Sequence, residues 1–234
     1  MKGLNGKVSC LNCENNNCFI KKYSPIAIID DVDKNKVINR LPKKQHVFFE
    51  GNENTGIYFV KSGMVKVFKN GAFNKDQIIR FSLDGDILGH RGLPKPYVFT
   101  VSAETVVESE ICFFTREYFF YLLEKVPQMA IELMLFYASE LNQEETKLRD
   151  MAIFTVREKV AKAILFFAER FGVENNLDIK YIEKLSRQDI AELVGLTSNQ
   201  VTKVLADFKS ENLIEIEGRS EEHTLNSSHR TISY

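Results

Sequence analysis

The chain has 234 residues, with 31 Lys+Arg against 32 Asp+Glu and a formal net charge of −1 at pH 7. That length holds one large domain or two moderate ones, each able to bury a core. The near balance of charge excludes a strongly basic nucleic-acid coat and an acidic tail protein. No apolar run approaches a membrane span or the core of a secretory leader, so a cytoplasmic protein with no membrane partner is expected.

Residues 1–25 form a cysteine-rich segment, in which Cys10, Cys13 and Cys18 are padded by Asn and Glu. Four cysteines in a cytosolic chain point to metal ligands or redox groups rather than disulfides. A segment this polar has little to bury, so packing is not the expected use of its thiols. Cys112 is the remaining cysteine, and by elimination the fourth ligand of any tetrathiolate. Three chemistries fit the spacing. An iron–sulfur cluster takes thiolates in such groups. A structural zinc site usually shows a second close pair, absent here. The third is a flexible tail with incidental, oxidisable thiols.

Residues 26–45 mix Ile and Val with charges and predict a short lead-in helix. From 46 to 115 the period becomes strand-like, completing a β-barrel over 26–115. Val47–Phe49, Ile57–Val60, Met64–Phe68, Gln77–Phe81, Ile87–Leu88, Tyr97–Val101, Thr105–Val107 and Ile111–Phe114 are short, β-branched or aromatic runs. Gly51, Gly63, Gly85 and Gly89 fit the turns between them, as in a small antiparallel barrel or sandwich. Residues 116–152 return to a helical period, with Pro127 suited to a first turn. Ile131, Met134, Ala138, Leu141, Glu145 and Leu148 recur at alternating three and four, an a/d seam of about three heptads. The narrow stripe predicts pairing with a second chain.

Residues 153–219 make a further domain. Val156 to Phe171 reads as one helix, and Asp178 to Lys184 as a short strand or linker. Leu185–Phe208 reads as two helices around a tight turn. Ser186 caps the first, Gly195 stops it, Leu196 is a buried anchor, and Thr197 or Ser198 caps the second. Val201, Val204, Leu205 and Phe208 give the second helix an inner face. Ser198, Asn199, Gln200, Thr202, Lys203 and Lys209 give it a polar and basic outer face suited to a major groove. Ser186, Arg187 and Thr197 complete the candidate DNA contacts. Residues 154–219 carry 10 Lys+Arg against 11 Asp+Glu, so phosphate contacts must come from local placement rather than net charge. Leu213–Ile216 can begin a winged hairpin turning at Gly218. The polar tail 220–234 lacks an apolar return strand and is expected to be non-native. No acid, base and nucleophile converge, and His46, His90, His223 and His229 are scattered, so an enzyme is not expected.

From about Cys10 to Arg219 the chain resembles the CRP/FNR family of bacterial transcription regulators. Leu185–Phe208 resembles the family's reader domain, and Gly56–Val67 its cyclic-nucleotide-binding-type barrel. The resemblance implies an α+β fold: an N-terminal β-barrel of double-stranded β-helix (jelly-roll) type, a long dimerisation helix, and a C-terminal winged helix-turn-helix. It implies a homodimer on a palindromic double-stranded DNA operator, and allows contact with RNA polymerase. In the FNR-like branch, three N-terminal cysteines and one after the last barrel strands hold an oxygen-labile [4Fe–4S] cluster. Cys10, Cys13, Cys18 and Cys112 match these places, with the Cys13–Cys18 gap one residue shorter than the pattern.

Nucleotide-binding members of the family use a Gly-Glu pair and an Arg-Ser or Arg-Thr pair. Here Gly89-His90-Arg91-Gly92 lacks the glutamate and Phe99-Thr100 lacks the arginine, which argues against cAMP. Gly89, His90, Arg91 and Thr100 are the candidates for any other barrel ligand, and His90 and Arg91 read as a solvated loop. On the recognition helix Asn199 and Lys203 stand where the family commonly has Glu and Arg, so its usual half-site does not carry over. The expected function is an oxygen- or redox-responsive DNA-binding regulator. Its alternatives are a regulator sensing another small ligand, with the cysteines zinc-bound or non-ligating, and an iron–sulfur electron carrier.

Overall fold

The computed structural model describes residues 8–71, 76–171 and 185–214. The chain divides into two compact units, residues 1–74 with 79–143, and residues 75–78 with 144–234. The division falls within the long helix, ahead of the expected boundary near residue 153.

In the first unit, α1 (Phe19–Tyr23), a 3-10 turn at Ile26–Ile28 and α2 (Ile29–Asn35) lead into the strands. The expected short lead-in helix is α2, and Val37, Ile38 and Leu41 belong to β1 (Val37–Leu41). There follow β2 (His46–Phe48), β3 (Gly56–Ser62), β4 (Val65–Lys69), β5 (Gln77–Ser82), β6 (Ile87–Leu88), β7 (Ser102–Thr105) and β8 (Ser109–Thr115). They form two four-stranded sheets, ordered β1-β8-β3-β6 and β2-β7-β4-β5. The run Tyr97–Val101 is not a strand. Tyr97 takes a φ of 61°, and only Val98 makes an isolated bridge, to Glu53. Val106 and Val107 likewise lie beyond the end of β7. Both runs have strand composition, yet Phe99 and Val101 are buried from a loop, so burial rather than pairing explains the apolar residues.

Two hydrophobic clusters fill this unit. One joins Leu41, Phe48, Val60, Val65, Val67, Leu88, Phe99, Val101, Ala103 and Ile111. The other holds Cys10, Ile20, Phe59, Cys112 and Phe114 together with Phe119, Leu122, Val126, Met129 and Leu133. The cysteine segment is therefore packed, contrary to the expectation from its polar composition. Ile20 is 1% exposed, and Phe19 stacks on Phe59 with centroids 6.4 Å apart. The side chain of Asn15 donates to the carbonyls of Val60 and Lys61 at 3.1 and 2.9 Å. Asn17 lies so close to Gly85 that a Cβ there would meet the Asn17 Cβ at 2.7 Å, and Gly85 has a φ of 95°. The segment docks because its asparagines satisfy strand and turn groups that its few apolar residues cover.

After β8 come α3 (Arg116–Lys125), capped by the Thr115 hydroxyl, and α4 (Pro127–Ile153), which begins at Pro127 as expected. No described helix is long and apolar enough to cross a membrane.

The second unit contains α5 (Val156–Phe171), α6 (Arg187–Val194) and α7 (Ser198–Ser210). Val160, Ala163 and Phe167 bury the inner face of α5, and Ile190, Ala191, Leu193, Val201, Val204, Leu205 and Phe208 supply the rest of the core. Arg157 stacks over the Phe208 ring, 4.4 Å from its centroid. The expected strand at Asp178–Lys184, the wing turn at Gly218 and the tail 220–234 lie outside the described residues.

Candidate functional site

Cys112 sits on β8, the second strand of its sheet, with Ile38 of β1 and Phe59 of β3 as its cross-strand partners. Cys10 lies in the segment ahead of α1, and Cys18 is the N-cap residue of α1. These elements bring all four cysteines to the lining of one cavity, together with Lys21, Lys36 and Lys61. All four thiols are free. The cavity is narrow, about 20 Å³, with room for little more than a water. Among the described residues no three His, Cys, Asp or Glu side chains are gathered as a single-ion site.

The electrostatics are those of buried thiols among cations. Burial pushes Cys10 up to about 11, against the Lys36 hydrogen bond that favours its thiolate. Burial pushes Cys112 up to about 12, and the neighbouring Cys18 adds to the rise. Cys18 is raised by burial too. Thiols shifted this way stay protonated near neutrality and lose their protons when a metal takes them. Lys21 donates to the Cys13 carbonyl at 2.5 Å and to the Asn16 side chain at 2.8 Å. Such a donor set fits an iron–sulfur cluster, whose ligands are cysteine thiolates and whose charge cationic neighbours stabilise.

The barrel has a second cavity, about 10 Å³, lined by Gly89, His90, Arg91, Gly92 and Thr100 and by Phe48, Arg80 and Phe99. The four residues singled out for a barrel ligand thus share one place. His90 is not on a solvated loop, however. It is 1% exposed, and its Nε2 lies 2.7 Å from the Glu140 carboxylate of α4. Arg80 and Arg91 approach the same carboxylate at 3.3 and 3.5 Å, and the Tyr137 hydroxyl donates to the His90 carbonyl at 2.6 Å. Burial alone would raise Glu140, but the His90 hydrogen bond and the charges of His90, Arg80 and Arg91 hold it at about 2. Burial pushes His90 below its ordinary range. Phe48 and Phe99 stack with centroids 4.0 Å apart and fill the floor. Sequence reasoning missed Arg80 and Glu140, since neither lies in a motif.

In the second unit the helix-turn-helix closes through two reciprocal caps. The Ser186 hydroxyl accepts from the Asp189 amide while Asp189 accepts from the Ser186 amide. Thr197 and Gln200 repeat the arrangement at α7. Gly195 ends α6 with a φ of 67°, a conformation in which a Cβ is costly. Leu196 is half-buried rather than a fully buried anchor, because it occupies the turn between the helices. Ser186, Thr197 and Gln200 are thus spent on caps. The Arg187 guanidinium donates to the Thr202 hydroxyl at 3.3 Å. Asn199, Lys203 and Lys209 are exposed, and Ser198 is half-exposed. At 3.6 residues per turn Asn199, Thr202 and Lys203 share one face, and Lys209 points to its flank.

Along α4 the whole predicted seam is exposed: Ile131, Met134, Ala138, Leu141, Glu145 and Leu148. Leu141 is 60% and Leu148 72% exposed. A separate face carries the buried Met129 and Leu133 and the half-buried Phe136, Tyr137 and Glu140.

Two family models match the chain, "Cyclic nucleotide-binding domain" over residues 38–126 and "Crp-like helix-turn-helix domain" over residues 158–226. The second match runs into the tail expected to be non-native. A "CRP-like cAMP-activated global transcriptional regulator" of Mycobacterium tuberculosis is 28% identical over 76% of this chain and 80% of its own. An "Anaerobic regulatory protein" of Aggregatibacter actinomycetemcomitans is 23% identical over 91% of this chain and 82% of its own. The structure of FixK2 from Bradyrhizobium japonicum has the same fold, with a TM-score of 0.69, 22% identity, and coverage of 81% of this chain and 91% of that one. The relatives are transcription regulators, not enzymes. Sensor and reader are both present in the order these matches require, and the chain belongs to the CRP/FNR family of DNA-binding transcription regulators.

Proposed function

We propose that this regulator works in the cytoplasm as a homodimer on palindromic DNA and responds to oxygen or redox state through a [4Fe–4S] cluster on Cys10, Cys13, Cys18 and Cys112. The observation that carries the reading is the shared cavity of four thiols contributed by two distant parts of the chain. The names of the two relatives point two ways, one to cAMP and one to anaerobic regulation. The narrow second cavity, filled by the Phe48–Phe99 stack and met by the chain's own Glu140, favours the second.

When bound, the cluster supplies an oxygen-sensitive redox centre. Cys10 and Cys112 belong to the same buried cluster as Met129 and Leu133 of α4, so displacement of the thiols is felt at the inner face of the helix whose outer face is the seam. The segment lies against Cys112 in one buried cluster, so Cys10, Cys13, Cys18 and Cys112 would hold the group without distant parts of the chain being drawn together. The exposed seam is the surface expected to meet a second copy, and two copies present two α7 helices to two half-sites. Asn199 and Lys203 are the proposed base and phosphate contacts, with Ser198, Thr202, Arg187 and Lys209 around them.

Iron and acid-labile sulfide per chain, measured on protein purified without oxygen and again after air, test this reading. About four of each, falling in air together with dimerisation or DNA binding, are expected. An anaerobic sample with neither overturns the cluster and leaves the regulator.

A further inference from the structure

The cavity's least expected neighbour is Lys36, which follows α2 and is only 8% exposed. Its ammonium donates to the Val8 carbonyl at 2.8 Å and to the Asp33 carboxylate at 2.8 Å, and lies 3.0 Å from the Cys10 sulfur. Those three partners use all three of its N–H groups. Asp33 also accepts from the Cys10 amide at 2.9 Å. One ion pair therefore grips Cys10 by its backbone and its thiol, and the preceding Val8 by its carbonyl. Burying an ammonium and a carboxylate is costly, and an apolar pair of similar volume often packs here at no loss. A charged pair in this place suits a task that apolar packing cannot perform.

We infer that Lys36, anchored by Asp33, is the positioning residue that seats Cys10 at the four-cysteine cavity and supplies the positive charge facing a thiolate-bound group. The inference rests on the proposed cluster for its second half, while the grip on Cys10 stands on the contacts themselves. The sign of the electrostatic effect follows. Four thiolates make a bound cluster anionic, and reduction adds another negative charge. A buried ammonium beside one ligand favours the more negative state, so Lys36 opposes oxidation. Lys21 and Lys61 also line the cavity, but Lys21 is bound to the Cys13 carbonyl and Asn16, and Lys61 pairs with Glu110 at 2.6 Å. Lys36 alone among these three contacts a cysteine sulfur in the described structure.

The test compares the wild type with Lys36→Met, Lys36→Arg, and a double variant carrying Asp33→Asn with Lys36→Met, which leaves neither charge unpaired if the single change fails to fold. In metal-free protein, hydrogen exchange at the Cys10 amide is expected to be several-fold faster in Lys36→Met and in the double variant. In anaerobically loaded protein, both should lose iron in air several-fold faster and show a lowered midpoint potential, with Lys36→Arg in between. A merely structural ion pair would change thermal stability and leave iron loss and potential where they are. Unchanged iron loss and potential in well-folded variants overturn the inference. If the wild type takes up no iron or sulfide, the cluster reading fails by itself. Exchange at the Cys10 amide then decides alone, acceleration supporting the seat and wild-type rates overturning it.

Discussion

The two cavities of the sensor unit are built from different strands, β1, β3 and β8 for the cysteine cavity and β2, β4, β5 and β6 for the other, and they differ in how their polar groups are answered. In the second cavity the chain answers its own charges: Arg80, His90 and Arg91 converge on Glu140, and stacked phenylalanines take the remaining space. In the cysteine cavity the groups that converge are alike. Four cysteines and three lysines line it, with no carboxylate among the lining residues. Like groups gathered at a buried place are not explained by mutual attraction. The difference is that the second cavity has its charges answered from within, while the cysteine cavity is the place where the proposed cluster would be held.

The comparison breaks most sharply at the thiols. Cys18→Ser is expected to remove essentially all iron and sulfide from anaerobically purified protein, and with them the response of DNA binding to air. Retention of both on three cysteines would move the site elsewhere. Glu140→Ala should leave iron content intact and lower the stability of the sensor by about 3 kcal/mol, because it removes the half-buried carboxylate shared by Arg80, Arg91 and His90. Chemical denaturation of the two proteins side by side measures this, and an unchanged midpoint would mean that the network adds nothing.

Acid sharpens the same contrast. Glu140 is held at about 2 against a usual 4.5, so its stabilisation is present above the usual value and is lost as pH falls from there toward 2. Buried His90, also shifted down, adds a loss in the same direction, beginning as pH falls through the ordinary histidine range. Unfolding followed against pH should show this acid lability in the wild type and a weaker dependence below about pH 4.5 in Glu140→Gln. The smallest effect is expected in the reader unit. Asn199→Ala should relax discrimination at one base pair by about 1 kcal/mol, read by selection from a randomised operator pool, with the air response unaltered.

Much of the reader domain was legible because its signals are local. Ser186, Gly195 and Thr197 act on amides three or four residues away, and the structure places each where the spacing requires. The seam from Ile131 to Leu148 was legible for a related reason, since helical periodicity alone sorts it from the buried face. Less local features misled. Tyr97–Val101 has the composition of a strand but is a buried loop, and His90 looked solvated because its partner Glu140 lies 50 residues away. The cysteine segment looked unpackable because asparagine side chains, not apolar ones, fasten it to β3.

By itself the amino-acid sequence determined the family, the order of sensor, helix and reader, the caps that close the helix-turn-helix, and the set of four cysteines. Only the tertiary structure decided that those cysteines line one cavity, that Lys36 and Asp33 hold the first of them, and that Glu140 pairs with the cationic and histidine side chains of the barrel's other polar site. Caps and heptads are contacts between residues a few positions apart, which backbone geometry imposes on any chain that carries them. A buried ion pair or a convergence of thiols depends on which strands lie side by side, and that is a property of the packed core rather than of any stretch of sequence.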